Sequence, residues 1–248
     1  MIDVHCHLSQ PDYQGDIDQV IEKCKQQLKA VITCCAHPKD FDLTLQLVKK
    51  YKGFVFATVS IHPIYIKEID EKQKNGFFDL LKKNRNDVSG IGETGLDFNI
   101  EEEKFREKQK ELFVEFIELS KDLSLPVIIH ARGAFKEAIE ILENHNVKNV
   151  LMHFFSAKDL LEKVTRNDWY ISVNTALLRS KKITKIVRDM PLEKILTETD
   201  SPWLGLEGRN DPTAIKVVVE KIAEIKKMNF DDVDKITTQN ATKLFNLP

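Results

Sequence analysis

Six side chains able to bind a divalent cation stand at the downstream ends of five short apolar runs. His5 and His7 close Met1–His7, Glu93 follows Val88–Gly92, His130 follows Val127–Ile129, His153 follows Val150–Met152, and Asp200 follows Ile195–Leu196. In His5-Cys6-His7 the two-residue period of a strand puts both imidazoles on one face and turns Cys6 away. Two neighbouring imidazoles can share one ion. Asp3 is expected on the same face, one layer deeper, where a carboxylate can orient a ligand. Glu93 carries two oxygens and can bridge two cations, and the glycines around it, Gly92 and Gly95, let the backbone bring it close. Asp97 is expected to hold a loop or to support a ligand rather than to touch metal. Asp200 can ligate a cation and also accept a proton from water, with Glu198 inward-facing two residues earlier.

Other groups suit a substrate. Arg132 shares a face with His130 if the strand persists that far, and a guanidinium there fits a phosphate or carboxylate. His62, before Pro63, either contacts substrate or orients its loop. His37, before Pro38, belongs to a loop, and His145 falls near a helix end, where a cation is favourable. Each strand-end residue taken singly has an ordinary structural reading. Taken together, four histidines and two acids on one rim describe a binuclear hydrolytic centre.

Positioning such a rim requires parallel strands. Strand-length apolar runs recur at Ile2–His7, Ala30–Cys35, Val55–Ser60, Val88–Gly92, Val127–His130, Asn149–His153, Tyr170–Val173 and Ile195–Thr197. Helical spacing fills the intervals: Ile17–Leu28, Phe41–Tyr51, Phe77–Lys83, Glu102–Leu123, Phe135–Asn144, Lys158–Val164 and Lys182–Val187, then Thr213–Lys227 and Asp231–Phe245. Alternating strands and helices predict a parallel sheet with right-handed crossovers, and eight strands predict its closure into an α/β TIM-type (β/α)8 barrel. A barrel of this kind needs about 250 residues and carries its chemistry where the strands end. The 248 residues therefore predict a single domain over 1–248, and no linker or repeat argues otherwise.

Composition narrows the classes further. Hydrophobic residues make up 42% and charged residues 31%, which fits a chain with an ample core and no membrane span. No basic segment precedes the first apolar run, so no signal peptide is expected and a cytoplasmic location follows by default. The four cysteines (Cys6, Cys24, Cys34, Cys35) form no CxxC pair, which favours buried reduced thiols over a structural zinc site. A formal charge of −2 gives no global basic signature, so nucleic-acid binding must rest on a local site. Candidate phosphate contacts near the mouth are Lys39, Lys67, Arg132, Arg179, Lys181, Lys182 and Arg209. Phe98, Phe155 and Trp203 are candidates to stack on bases, Phe155 being equally suited to the core.

The motifs Asp3-Val-His-Cys-His7, Ile61-His-Pro63, Gly92-Glu-Thr-Gly-Leu-Asp-Phe98, Pro126-Val-Ile-Ile-His-Ala-Arg132, His153-Phe-Phe-Ser156, Glu198-Thr-Asp-Ser-Pro202 and Arg209-Asn-Asp-Pro212 span nearly the whole chain. In type and order they resemble the TatD family of metal-dependent hydrolases, within the amidohydrolase-like superfamily. The resemblance implies one cation held by His5, His7, Glu93 and Asp200 and a second held by Glu93, His130 and His153. Departures are Phe154 and Ala157 in a segment that is commonly His-Cys-Phe-Ser-Gly, Asp211 where Glu is common, and a short segment between Trp203 and Arg209. None removes an expected ligand.

The expected activity is phosphodiester hydrolysis in DNA, of the 3'–5' exonuclease type. Two divalent cations would acidify a shared water and clamp the phosphate, with Asp200 as base and Glu93 as bridge. Arg132, His62 and Arg209 would hold the substrate. Mixed nitrogen and oxygen ligation admits zinc, manganese, magnesium, nickel or iron. Rival readings are a D-aminoacyl-tRNA deacylase acting on a carboxylic ester, cleavage of a cyclic amide, and a non-catalytic metal-binding scaffold. A monomer is expected.

Overall fold

A computed structural model describes residues 1–99 and 102–248. Eight parallel strands run in sequence order around one sheet: β1 (Ile2–Cys6), β2 (Ala30–Cys35), β3 (Val55–Val59), β4 (Gly90–Asp97), β5 (Val127–Arg132), β6 (Val150–Met152), β7 (Tyr170–Val173) and β8 (Ile195–Thr197). The ring closes between its first and last members. The His7 N–H donates to the Ser201 carbonyl at 2.7 Å and the Asp200 N–H to the His5 carbonyl at 2.9 Å. Thr197 Oγ1 donates to the Ile2 carbonyl at 3.0 Å lower in the barrel. The expected (β/α)8 barrel is the observed one.

Helices cover the outside: α1 (Ile17–Lys25), α2 (Phe41–Lys50), α3 (Glu71–Lys83), α4 (Arg106–Asp122), α5 (Phe135–Asn144), α6 (Leu161–Arg166), α7 (Lys181–Asp189), α8 (Ile215–Lys226) and α9 (Phe230–Phe245). Each turns an apolar stripe inward. On α4 that stripe is Leu112, Phe113, Phe116 and Ile117, all buried; each such side chain stabilises by about 1.5–3 kcal/mol when fully buried. Helix α3 starts six residues before the expected Phe77. Asp70 accepts the Gln73 N–H at 2.7 Å while Gln73 accepts the Asp70 N–H at 2.9 Å, a reciprocal cap that extends the helix through a polar turn.

Inside the barrel, Ile2, Val4, Ile32, Ile128, Leu151 and Leu196 pack with Ala241, Leu244 and Phe245 of α9, which seals the end where the strands begin. The opposite end is left for polar groups. Two register shifts lie beneath it. Between Asp3–Val31 and Cys6–Thr33, β1 advances by one residue more than β2. Between Ile91–Val127 and Thr94–Ile129, β4 does the same against β5. Each is a β-bulge, which re-aims the side chains above it. No helix among the described residues is long and apolar enough to cross a membrane.

Candidate metal centre

The first bulge changes the expected face of Asp3. Its carboxylate does not reach the imidazoles. Oδ1 accepts the His5 and Thr199 backbone N–H groups, each at 3.1 Å, and Oδ2 accepts the Thr199 hydroxyl. Asp3 thus satisfies donors that the bulge leaves unpaired and ties β1 to the segment after β8. His5 and His7 then point into the barrel mouth with their Nε2 atoms 3.1 Å apart.

The second bulge sets Glu93, and it corrects an expected boundary. Strand β4 ends at Asp97 rather than Gly92, so Glu93 lies within the strand and its flanking glycines serve close packing rather than a turn. At Gly95 (φ +135°) a Cβ would stand 2.1 Å from the His130 carbonyl oxygen. Gly92 (φ +154°) would meet the Ile128 side chain at 2.6 Å. The Gly92–Glu93 and Ser201–Pro202 peptide bonds are cis.

Around Glu93 the structure brings all six expected ligands together. Oε2 lies 2.8 Å from His5 Nε2, 4.0 Å from His7 Nε2 and 3.9 Å from His153 Nε2. Oε1 lies 3.0 Å from His130 Nδ1. Asp200 Oδ1 stands 3.7 Å from His5 Nε2 and 3.4 Å from His7 Nε2. Donors held about 2.0–2.2 Å from one ion in a tetrahedron stand about 3.3–3.6 Å apart, close to the observed spacings. Three donor groupings overlap here: His5, His7, Cys34 and Glu93; His5, His153 and Asp200; and His62, Glu93 and His130.

Hydrogen bonds decide which ring nitrogen is free. Glu198 Oε2 takes the His153 Nδ1–H at 2.8 Å, leaving Nε2 for a cation. Asp97 Oδ2 takes the His130 Nε2–H at 3.0 Å, leaving Nδ1. His62 is different. Its Nδ1 accepts the Ile64 N–H at 3.1 Å, so the proton sits on Nε2 and donates to Glu93 Oε1 at 2.7 Å. His62 is therefore a donor to Glu93, and it lines the cleft beside it.

The charges follow from the packing. Burial alone would raise the Glu93 carboxyl, but the His62, His153 and His5 rings and the His130 hydrogen bond hold it well below the usual range. Burial would likewise raise Asp200, and the His7 hydrogen bond with the His153 and His5 charges brings it down to about 2. Burial and the neighbouring His130 lower His62 to about 4, so that ring is neutral. Glu93 Oε2, nearly inaccessible to solvent, makes no well-formed hydrogen bond among the described residues although His5 Nε2 stands 2.8 Å away, and Nδ1 of His5 and of His7 has no partner there. Two ionised carboxylates, imidazole nitrogens converging on them, and an orphaned carboxylate oxygen together fit divalent cations.

Above these groups opens a cleft of about 650 Å³, lined by His62, Glu93, Arg132, His153, Asp200 and Trp203 among others. Arg132 is exposed at its edge. Arg209, expected to hold substrate, lies outside that lining. Its guanidinium donates to the Asp12 carbonyl at 2.6 Å and pairs with Asp16 at 2.5 Å, stacked 4.9 Å over the Tyr13 ring. It pins the loop after β8 back onto the entry to α1. Phe155, a candidate base platform, is buried against Phe135. The residue that sequence reasoning missed is Cys34. Strand alternation from the interior Ile32 points its sulfur into the barrel, and that period was the available signal.

A profile of the TatD related DNase family matches residues 2–246. The chain is similar to the human deoxyribonuclease TATDN3, 34% identical over 99% of this chain and 94% of that protein. It is similar also to the uncharacterized metal-dependent hydrolase MJ1582 of Methanocaldococcus jannaschii, 31% identical over 98% and 96%. In fold it matches the crystal structure of YJJV, a TatD homolog from Escherichia coli K12, with a TM-score of 0.93, 24% identity, and coverage of 100% and 98%. With the barrel, the ligand rim and these relatives in agreement, the chain belongs to the TatD-related DNase family of metal-dependent hydrolases.

Proposed function

We propose that this protein hydrolyses phosphodiester bonds in DNA from a strand terminus, in the 3'–5' direction, at a centre where Glu93 would help hold two divalent cations. The observation that carries this reading is the convergence of His5, His7, His130, His153 and Asp200 on one buried carboxylate at the floor of a cleft. His5, His7 and Asp200 would hold one cation and His130 with His153 the second. The cations supply Lewis acidity toward the phosphate oxygens and make water a stronger acid.

The protein's own groups do the rest. Asp200, ionised at neutral pH, accepts the proton of the attacking water. Glu93 Oε1 is held by the His62 N–H at 2.7 Å, with His130 Nδ1 3.0 Å from the same oxygen. Arg132 at the cleft edge is placed to take a non-bridging phosphate oxygen. A cleft of about 650 Å³ has the size of a small-molecule site. It admits the end of a strand, whereas an intact duplex would stand off from the buried Glu93. That size supports exonucleolytic over internal cleavage.

The test restores single metals to stripped protein and supplies single-stranded DNA labelled at either end, with an aminoacyl-tRNA ester alongside. Stepwise release of mononucleotides from the 3' end is expected, abolished in Asp200→Ala and in Glu93→Ala. Wild-type-like cleavage in either variant sinks the assignment. Hydrolysis of the ester without nucleotide release would replace the nuclease reading with a deacylase.

A further inference from the structure

Directly beneath Glu93 lies a sulfur that the six-ligand centre does not use. Cys34 is fully buried, and its Sγ accepts the Glu93 N–H at 3.3 Å and donates to the Gly92 carbonyl at 3.5 Å. It therefore sits inside the bulge that aims Glu93. Its Sγ, one nitrogen each of His5 and His7 and a Glu93 oxygen lie within 4.8 Å of one another. Donors bound at about 2.0–2.3 Å to one ion in a tetrahedron stand about 3.3–3.7 Å apart, so closing on a cation asks these side chains to draw together by up to about 1 Å. The other thiols are turned elsewhere. Cys6 Sγ faces the Ile32 carbonyl, Cys35 Sγ the His37 carbonyl, and Cys24 packs in the outer core.

We propose that Cys34 Sγ is a further donor to the cation held by His5 and His7, so that this centre prefers thiophilic divalent cations, of the zinc, cobalt and cadmium class, over magnesium. The inference rests on the metal centre proposed above. In forming the sulfur–cation bond the S–H bond breaks and its proton passes to solvent. The Glu93 N–H already aimed at the sulfur then stabilises the anionic ligand, as charge-assisted hydrogen bonds do. Sulfur is the soft donor in a set otherwise of imidazole and carboxylate, and soft donors select against magnesium. Two neighbouring features set this sulfur apart from a lone thiol. Glu93 Oε2, buried and without a well-formed hydrogen bond, lies in the same pocket, and the Nε2 atoms of His5 and His7 converge on it at 2.8 and 4.0 Å.

The experiment is zinc-edge X-ray absorption on the wild-type protein loaded with zinc after stripping, with zinc content measured first. A sulfur neighbour at about 2.3 Å is expected beside nitrogen and oxygen at about 2.0–2.2 Å. In Cys34→Ser the sulfur shell disappears and cadmium affinity falls by about tenfold or more, while magnesium affinity is unchanged. Cys35→Ser retains the sulfur shell. Zinc bound with only nitrogen and oxygen neighbours overturns the role of Cys34 and leaves the metal centre standing. Failure of stripped protein to retain any zinc, cobalt or cadmium overturns the centre itself. The wild-type spectrum decides the question even if Cys34→Ser does not fold.

Discussion

Glu198 Oε2 stands 2.8 Å from His153 Nδ1, and the opposite oxygen of the same carboxylate accepts from the Asn174 amide at 3.0 Å and the Phe154 N–H at 3.2 Å. One buried acid just after β8 thus fixes the ring orientation of His153, a candidate ligand just after β6. Such supporting hydrogen bonds set which nitrogen faces a metal. Glu198→Gln keeps the volume and removes the charge. It should lower zinc affinity by about 10–100-fold with the fold retained. Competition against a chromophoric chelator measures this, and an unchanged affinity would remove His153 from the ligand set.

The glycines that flank Glu93 make a second prediction. A methyl group at Gly95 would overlap the His130 carbonyl oxygen, and one at Gly92 would overlap Ile128, both at φ values that L-residues rarely adopt. Gly95→Ala and Gly92→Ala should each destabilise by roughly 3 kcal/mol or more, combining backbone strain with the overlap. Urea unfolding reads the loss as a lower midpoint. A change under about 0.5 kcal/mol would show that the bulge relaxes without cost.

The same positions show what a sequence can and cannot reveal here. The eight strands were legible because apolar runs and helical spacing alternate, and the candidate ligands stood out because they follow those runs. The bulges were not. A strand read at strict period two puts Asp3 beside His5, whereas the inserted residue in β1 sends Asp3 to the backbone of His5 and Thr199. Arg209 matches a family motif, yet only the folded chain shows Asp16 and the Asp12 carbonyl next to it. His62 had two readings in sequence. The Ile64 N–H on its Nδ1 resolves its geometry, an interaction that depends on a three-residue turn no periodicity encodes.

Thiol chemistry gives a third prediction. All four cysteines are free and buried. Burial pushes Cys24 and Cys35 each up to about 12 and holds Cys6 and Cys34 well above the ordinary thiol value. The reactive species is the thiolate, so the native protein at pH 8 should react with a disulfide reagent orders of magnitude more slowly than denatured protein. Denatured protein should then yield four equivalents. Rapid reaction of one equivalent in the native state would contradict the packing around that thiol.

Acid should loosen the segment after β8 through Asp211. Its carboxylate pairs with Lys23 at 2.6 Å and caps the turn into α8 by accepting the Thr213 N–H at 2.9 Å. Burial would raise this carboxyl, but Lys23 and Thr213 win and its folded-state value is depressed. A depressed acid contributes stability above its unfolded value, about 3.9, and that contribution is lost as pH falls through the folded value. Asp211→Ala should therefore cost about 1 kcal/mol at pH 7, and the gap from wild type should narrow below about pH 4. Thermal melts of both proteins at a series of pH values test this. A gap that widens on acidification would reverse the sign of the argument.

Trp203 is 47% exposed, an unusual position for the largest apolar side chain, and its ring sits 4.8 Å from that of His7 at the cleft lining. The core gains little from an indole so placed. A face open beside a ligand suits a nucleobase stacked next to the phosphate under attack, and stacking on an aromatic is worth about 1–3 kcal/mol per base. Trp203→Ala should accordingly raise KM for a short single-stranded oligonucleotide by about 5–150-fold, and Trp203→Phe should recover most of the loss. The control is an oligonucleotide of equal length lacking the terminal bases. It keeps the backbone charge and presents nothing to stack. For that substrate wild type and Trp203→Ala should differ by less than about twofold, because under the proposed function phosphate binding falls to Arg132 and the cations rather than to the indole. If the variant loses as much on the abasic strand as on the base-bearing one, Trp203 acts by shielding His7 and not by holding a base.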